Sequence, residues 1–252
     1  MASFLSSALT SVALFLALTS SLVAADFDVY YYGVMWPGAY CTQMKPGRCC
    51  MPSTGAPAED FYVSTMATYT NDGKEVKKCS SSNFYINELL DLSESLQLYW
   101  PSIKCPQNDG KSSWRSIWKT FGVCTNLSEH DYFEKALQIR TDVNVLRILE
   151  DNGIVPDGSN YSLASIQQAL DNGIGQKVAI QCSKIYNTSL YQLFRIFFCV
   201  DQSDASTIVS CPFVSKYKCP DEVVFSHFDV GMLKGFTALP ELNPIKLYPE
   251  NE

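Results

Sequence analysis

Histidine is nearly missing from this chain: 252 residues hold two, His130 and His227. Imidazole is the side chain whose ordinary pKa lies near neutrality, so acid–base chemistry at pH 7 has few candidates here. His130 reads as the surface of a helix's first turn, with no base partner near it in sequence, and His227 as an ordinary strand residue. The patterns H-E-x-x-H and G-x-S-x-G, a glycine-rich phosphate loop and an EF-hand loop are also absent. Cationic surplus is lacking too: 19 Lys and Arg stand against 26 Asp and Glu, a formal charge of -7. That balance argues against a nonspecific nucleic-acid coat but leaves room for a local basic cleft. No repeat, charge block or low-complexity linker divides residues 26 to about 230, which favours one domain.

Charge is also missing from the first 25 residues, whose apolar stretch is too short and serine-rich for a membrane span. Ala24 and Ala25 offer a cleavage site, so residues 1–25 read as a secretory signal peptide and Asp26 as the start of the mature chain. Ten cysteines follow, too many for an ordinary cytosolic protein of this length. Their spacing forms no paired C-x-x-C zinc knuckle, so bridges are expected, with no metal and no cofactor. Asn126, Asn160 and Asn187 each open an Asn-x-Ser triplet and are glycosylation candidates. Apolar residues make up 46% of the chain, enough for one core of ordinary size.

Residues 26–36, DFDVYYYGVMW, are aromatic and β-branched and predict a strand ending at Pro37-Gly38. Residues 41–56 predict a stapled loop. Ile86, Leu89, Leu90, Leu92, Leu96 and Tyr99 recur at helical spacing until Trp100-Pro101 stops the element. Trp114, Ile117, Trp118 and Phe121 fall at i, i+3, i+4 and i+7, an apolar helical stripe read as a core face in preference to a cleft wall. Ser128 with Asp131 predicts a capped helix through Leu137. Helices over 142–153 and 163–173 follow, then strands over 177–186, 190–200 and 222–228. Helices clustered between strand groups, without βαβ alternation, give the class α+β. The residues alone do not indicate an enzyme.

Seven segments in order resemble one family, the T2-type ribonucleases, in particular the plant S-like branch. MWPGAYC (35–41) with CCMPSTG (49–55) is similar to its Q-W-P-x-x-Y-C and C-C-x-P-x-x-G opening, and LYWPSIKC (98–105) to its N-W-P-x-x-x-C. WRSIWKTFGVC (114–124) has the frame of W-S-H-E-W-E-K-H-G-T-C. DYFEKAL (131–137), VPDGSNYSL (155–163) and LYQLFRIFFCVD (190–201) also correspond. The resemblance implies a disulfide-stapled T2-like domain over 26–235, a central antiparallel sheet flanked by several helices. It also implies bridges Cys41–Cys49, Cys50–Cys105, Cys79–Cys124, Cys182–Cys219 and Cys199–Cys211.

The family's reaction cleaves single-stranded RNA to a 2′,3′-cyclic phosphate, with two His moving protons and a Glu and a Lys stabilising charge on phosphorus. Its F-G-I-H-G-L-W-P motif resembles FYVSTMAT (61–68), which places Ser64 at a His position and Ala67 at the base-site Trp. In the second motif Ser116 and Phe121 stand at His positions, Ile117 at the Glu and Thr120 at the Lys. Hydroxyls do not titrate near neutrality, and Ile and Phe offer a phosphorane neither charge nor hydrogen bond. The expectation is therefore a chain that is not an enzyme and does not cleave RNA, accumulated as a vegetative storage protein. An RNA- or nucleotide-binding or defence module is the second reading, and a ribonuclease of weak residual activity the third. No partner is required, RNA binding is expected to be weak or absent, with Trp36 and nearby tyrosines left to stack on a base, and no membrane is involved after signal removal. Residues 236–252 extend past the family's core, and Asn243-Pro244-Ile245-Lys246-Leu247 is similar to the plant sorting signal N-P-I-R-L. The vacuole is favoured, with secretion as the alternative.

Overall fold

Seven consecutive buried residues, Val29–Met35, form β1, and a strand buried on both faces must be covered on both. In the computed structural model, residues 26–214 and 216–235 are described; the expected signal (1–25) and sorting segment (236–252) lie outside the described residues. The chain continues through α1 (Pro37–Thr42), β2 (Tyr62–Tyr69), β3 (Glu75–Val76), α2 (Ser93–Tyr99), α3 (Lys111–Thr120), α4 (Glu129–Asp142) and α5 (Val145–Glu150). Then come β4 (Asn160–Ser162), α6 (Leu163–Ile174), β5 (Ala179–Lys184), β6 (Tyr191–Asp201), β7 (Ile208–Val209) and β8 (Glu222–Val224). The sheet runs β3-β2-β1-β6-β8-β4, and β5 and β7 also pair with β6. Its pairings are antiparallel except for β6 with β8. The α+β class and central sheet hold.

Alternation along β1 separates the two faces. Tyr30 and Tyr32 join the main core under the helices, where Tyr32 Oη donates to Ala136 O at 2.8 Å and Tyr132 Oη to Met66 O at 2.5 Å. Tyr31 points the other way and stacks parallel on Phe197, ring centroids 4.9 Å apart. Five bridges tie the chain: Cys41–Cys49, Cys50–Cys105, Cys79–Cys124, Cys182–Cys219 and Cys199–Cys211. Among the described residues no helix is long and apolar enough to cross a membrane.

Several boundaries differ from the sequence expectation. The apolar run at 86–99 divides into a 3-10 turn, Ile86–Leu89, and α2. Asp142 ends α4, whose Ser128 cap accepts from Asp131 N at 3.0 Å. Asn144 caps α5 in turn, accepting from Arg147 N at 3.0 Å. Helix α6 passes Gly173 and stops at Gly175, whose φ of 81 is the left-handed cap conformation. The strand expected over 222–228 is Glu222–Val224 alone, and His227 lies exposed beyond it. Strand β2 had no sequence expectation at all, although it pairs along the whole of β1.

Candidate functional site

A bulge in the sheet aims Ser64. Strands β1 and β2 pair Val34 with Val63 and Gly33 with Thr65, which leaves Ser64 as the extra residue. Its hydroxyl donates to Gly33 O at 3.0 Å. Glycine is required at 33 because a Cβ there would lie 2.6 Å from the Phe197 ring and 3.1 Å from Ser64 Oγ. Across β1 and β6, Met35 stands opposite Arg195 and Gly33 opposite Phe197. Helix α3 supplies the facing wall, anchored by Trp114, whose Nε1 donates to Trp100 O at 2.8 Å, and Trp118, whose Nε1 donates to Asn83 O at 3.2 Å. The apolar stripe divides accordingly: Trp114 and Trp118 are buried, while Ile117 and Phe121 are half-buried.

Between these elements lies a cavity of about 320 Å³ whose lining includes Ser64, Ser116, Ile117, Tyr40, Lys104 and Arg195. Among the described residues no carboxylate lines it. Arg195 Nε is buried without a hydrogen-bond partner among the described residues. Burial holds this guanidinium below its usual range, opposed by the nearby Tyr217 and Tyr40 phenols. Arg195 is half-buried and pairs with no carboxylate among the described residues, so an anion in the cavity meets an uncompensated cation. Burial also pushes up the Tyr40 phenol, so Tyr40 is a neutral hydroxyl at the cavity wall.

Of the five positions marked by the resemblance, the structure brings together Ser64, Ser116 and Ile117. Thr120 faces an adjoining groove, its Oγ1 donating to Ser116 O at 2.6 Å. Phe121 lines neither, and its N–H closes α3 on Ile117 O at 2.8 Å. Neither histidine lines the cavity: His130 Nε2 lies 2.9 Å from Asp91 Oδ2 and His227 Nε2 3.0 Å from Asp229 Oδ2. Trp36, expected as a stacking group, is buried with Nε1 donating to Ser226 O at 2.6 Å. Asn126, Asn160 and Asn187 are all exposed. Sequence reasoning missed Arg195, Lys104 and Tyr40. The available signal was Arg195 itself, the one charged residue in the apolar run LYQLFRIFFCV.

The Ribonuclease T2 family model matches residues 27–211. Extracellular ribonuclease LE of Solanum lycopersicum is 34% identical over 209 residues, 81% of this chain and 89% of that protein. Ribonuclease 3 of Arabidopsis thaliana is 36% identical over 210 residues, 81% of this chain and 92% of that protein. The solved RNase NT in complex with 5′-AMP superimposes with a TM-score of 0.76 at 32% identity, over 81% of this chain and all (100%) of the other. These matches overturn the expectation of a storage protein that is not an enzyme: the relatives are named ribonucleases, and the solved one is a nucleotide complex. Matched by the family model over residues 27–211, by relatives above 30% identity and by a superimposable fold, the chain belongs to the ribonuclease T2 family.

Proposed function

We propose that this chain binds single-stranded RNA and nucleotides in the Arg195 cavity and retains a residual endoribonuclease activity. The observation that carries this reading is a half-buried Arg195, its Nε buried and without a hydrogen-bond partner among the described residues, at a cavity lined by Ser64 and Ser116 and, among those residues, by no carboxylate. That combination suits a phosphodiester, which the guanidinium pairs by charge and the Ser116 hydroxyl binds as a donor. In the reaction the RNA 2′-oxygen bonds to phosphorus and the 5′-oxygen leaves. The 2′-hydroxyl proton passes to solvent, and solvent returns one to the leaving oxygen. Arg195 stabilises the charge that gathers on phosphorus. Without a positioned acid and base the rate falls by about 10² to 10⁴. Binding and electrostatic stabilisation alone still sustain about 10³ to 10⁴ over water in stripped hydrolase sites. On the cell-biological side, the reading includes entry to the secretory route through residues 1–25 and vacuolar delivery through residues 236–252.

The test is a recombinant preparation, free of other nucleases, assayed on single-stranded RNA with detection of 2′,3′-cyclic ends. Slow cleavage above buffer is expected, together with 5′-AMP binding, and Arg195→Gln should weaken both by about tenfold or more. Absence of turnover and of 5′-AMP binding in the folded protein would overturn the reading.

A further inference from the structure

Helix α3 has a second working face. Ser112, Arg115, Ser116 and Lys119 recur at i, i+3, i+4 and i+7, the spacing that places side chains on one side of a helix. The chain at 78–82 lies opposite. Lys78 N–H donates to Thr120 O at 2.7 Å, and the next residue, Cys79, is bridged to Cys124 just past the helix. Lys78 holds a left-handed backbone with φ 58, a conformation that a non-glycine residue keeps only when its surroundings impose it. Between loop and helix runs a groove of about 630 Å³ lined by Lys78, Arg115, Lys119 and serine residues and, among the described residues, by no carboxylate.

The three cations differ from their neighbours in one respect. Lys77 lies 2.8 Å from Glu75 and Lys111 2.8 Å from Asp109, so both are neutralised locally. Lys78, Arg115 and Lys119 pair with no carboxylate among the described residues. Arg115 rests over the Phe84 ring, 5.6 Å from its centroid, which leaves its guanidinium edge open. Three unpaired cations in one concavity, on a chain of formal charge -7, make a local positive field that net charge conceals. Ser116 lines both this groove and the Arg195 cavity, so the two lie side by side along α3.

We infer that this groove binds the phosphodiester backbone of single-stranded RNA, holding phosphates adjacent to the nucleotide seated at Arg195. The inference rests on the cavity reading above for where the strand is anchored. It replaces the expectation that RNA binding is weak or absent. Each phosphate neutralised on a single strand contributes about 0.7 to the salt slope of log affinity, so three cations account for a slope of about 2.

The experiment compares the whole protein with a triple variant, Lys78→Ser, Arg115→Ser and Lys119→Ser, all at exposed positions, with thermal melting to verify folding. A labelled single-stranded RNA long enough to span cavity and groove is titrated over a range of salt concentrations, and 5′-AMP is titrated in parallel. The triple variant should lose RNA affinity by about tenfold or more and its salt slope should fall by about 2, while 5′-AMP binding stays within about twofold. Unchanged RNA affinity and slope would overturn the groove and leave the cavity reading standing. Failure of 5′-AMP to bind, with Arg195→Gln silent, would overturn the cavity reading, while a lowered RNA slope in the triple variant would still support the groove. A sulfated polysaccharide that binds the same residues more tightly than RNA would overturn the choice of ligand.

Discussion

Arg195 shows how one side chain changes the meaning of a site whose familiar groups are gone. Ser64 and Ser116 cannot exchange protons near neutrality, yet the Ser116 hydroxyl remains a donor beside a cation that pairs with no carboxylate among the described residues. His130 is the converse, a titratable group tied into surface structure. Its hydrogen bond to the Asp91 carboxylate raises its pKa, with Asp131 and Glu134 acting in the same direction. A raised folded pKa means that this pair's stabilisation is fully present below the unfolded value, about 6.5. It is lost as pH rises through the folded value. An NMR titration should place His130 above that reference, and Asp91→Asn should bring it back; an unshifted His130 in the parent would reject the ion pair. The three exposed asparagines belong to this scale as well. We propose that Asn126, Asn160 and Asn187 carry glycans, so material from the native secretory route should gain mobility on enzymatic deglycosylation, in steps removed by Asn→Gln changes.

At the scale of elements, the bulge in β2 is what turns a strand residue into a site residue. Gly33→Ala introduces a methyl group 2.6 Å from the Phe197 ring, so that ring or the strand must shift. Overpacking of this kind costs about 1–3 kcal/mol. It should also shift Ser64 and weaken 5′-AMP binding, so calorimetric melting and ligand titration ought to change together. A variant with unaltered melting and binding would show that the bulge has slack. On the helix side, Arg140 of α4 is buried against Asp60 and donates from Nε to Phe61 O at 2.8 Å, directly ahead of β2. Arg140→Leu strands the Asp60 carboxylate, and loss of one partner of a buried pair costs about 3 kcal/mol. Denaturant unfolding would measure it; a loss below about 1 kcal/mol would mean that solvent already screens the pair.

For the molecule as a whole, the bridges hold distant walls of the cavity in place. Cys50–Cys105 spans 55 residues and fastens the segment carrying Lys104, where Cys50 N–H also donates to Ile103 O at 2.9 Å. Replacing both cysteines with serine should cost about 2–5 kcal/mol and weaken nucleotide binding, because Lys104 and the wall around it lose their fixed distance from Arg195. Unfolding and 5′-AMP titration of that variant test the two effects separately; full retention of binding would free Lys104 of any part in the site.

What the sequence by itself determined was what depends on near neighbours along the chain. The tryptophan spacing of α3, the Ser128 cap, the aromatic strand at 29–35 and the α+β class all rest on periodicity and capping. The family frame was likewise legible in short ordered segments. β2 was not, because its residues, YVSTMATY, were read only as a motif, and the bulge needs its partner strand to exist. The resemblance had already put Ser64 and Ser116 in one site, and tertiary structure alone brought Arg195, far away in the chain, to the same cavity. It alone also separated the neutralised Lys77 and Lys111 from the unpaired Lys78, Arg115 and Lys119. Charge acts through space and burial, so composition could state a net of -7 but only the fold could decide where positive charge is left without a partner.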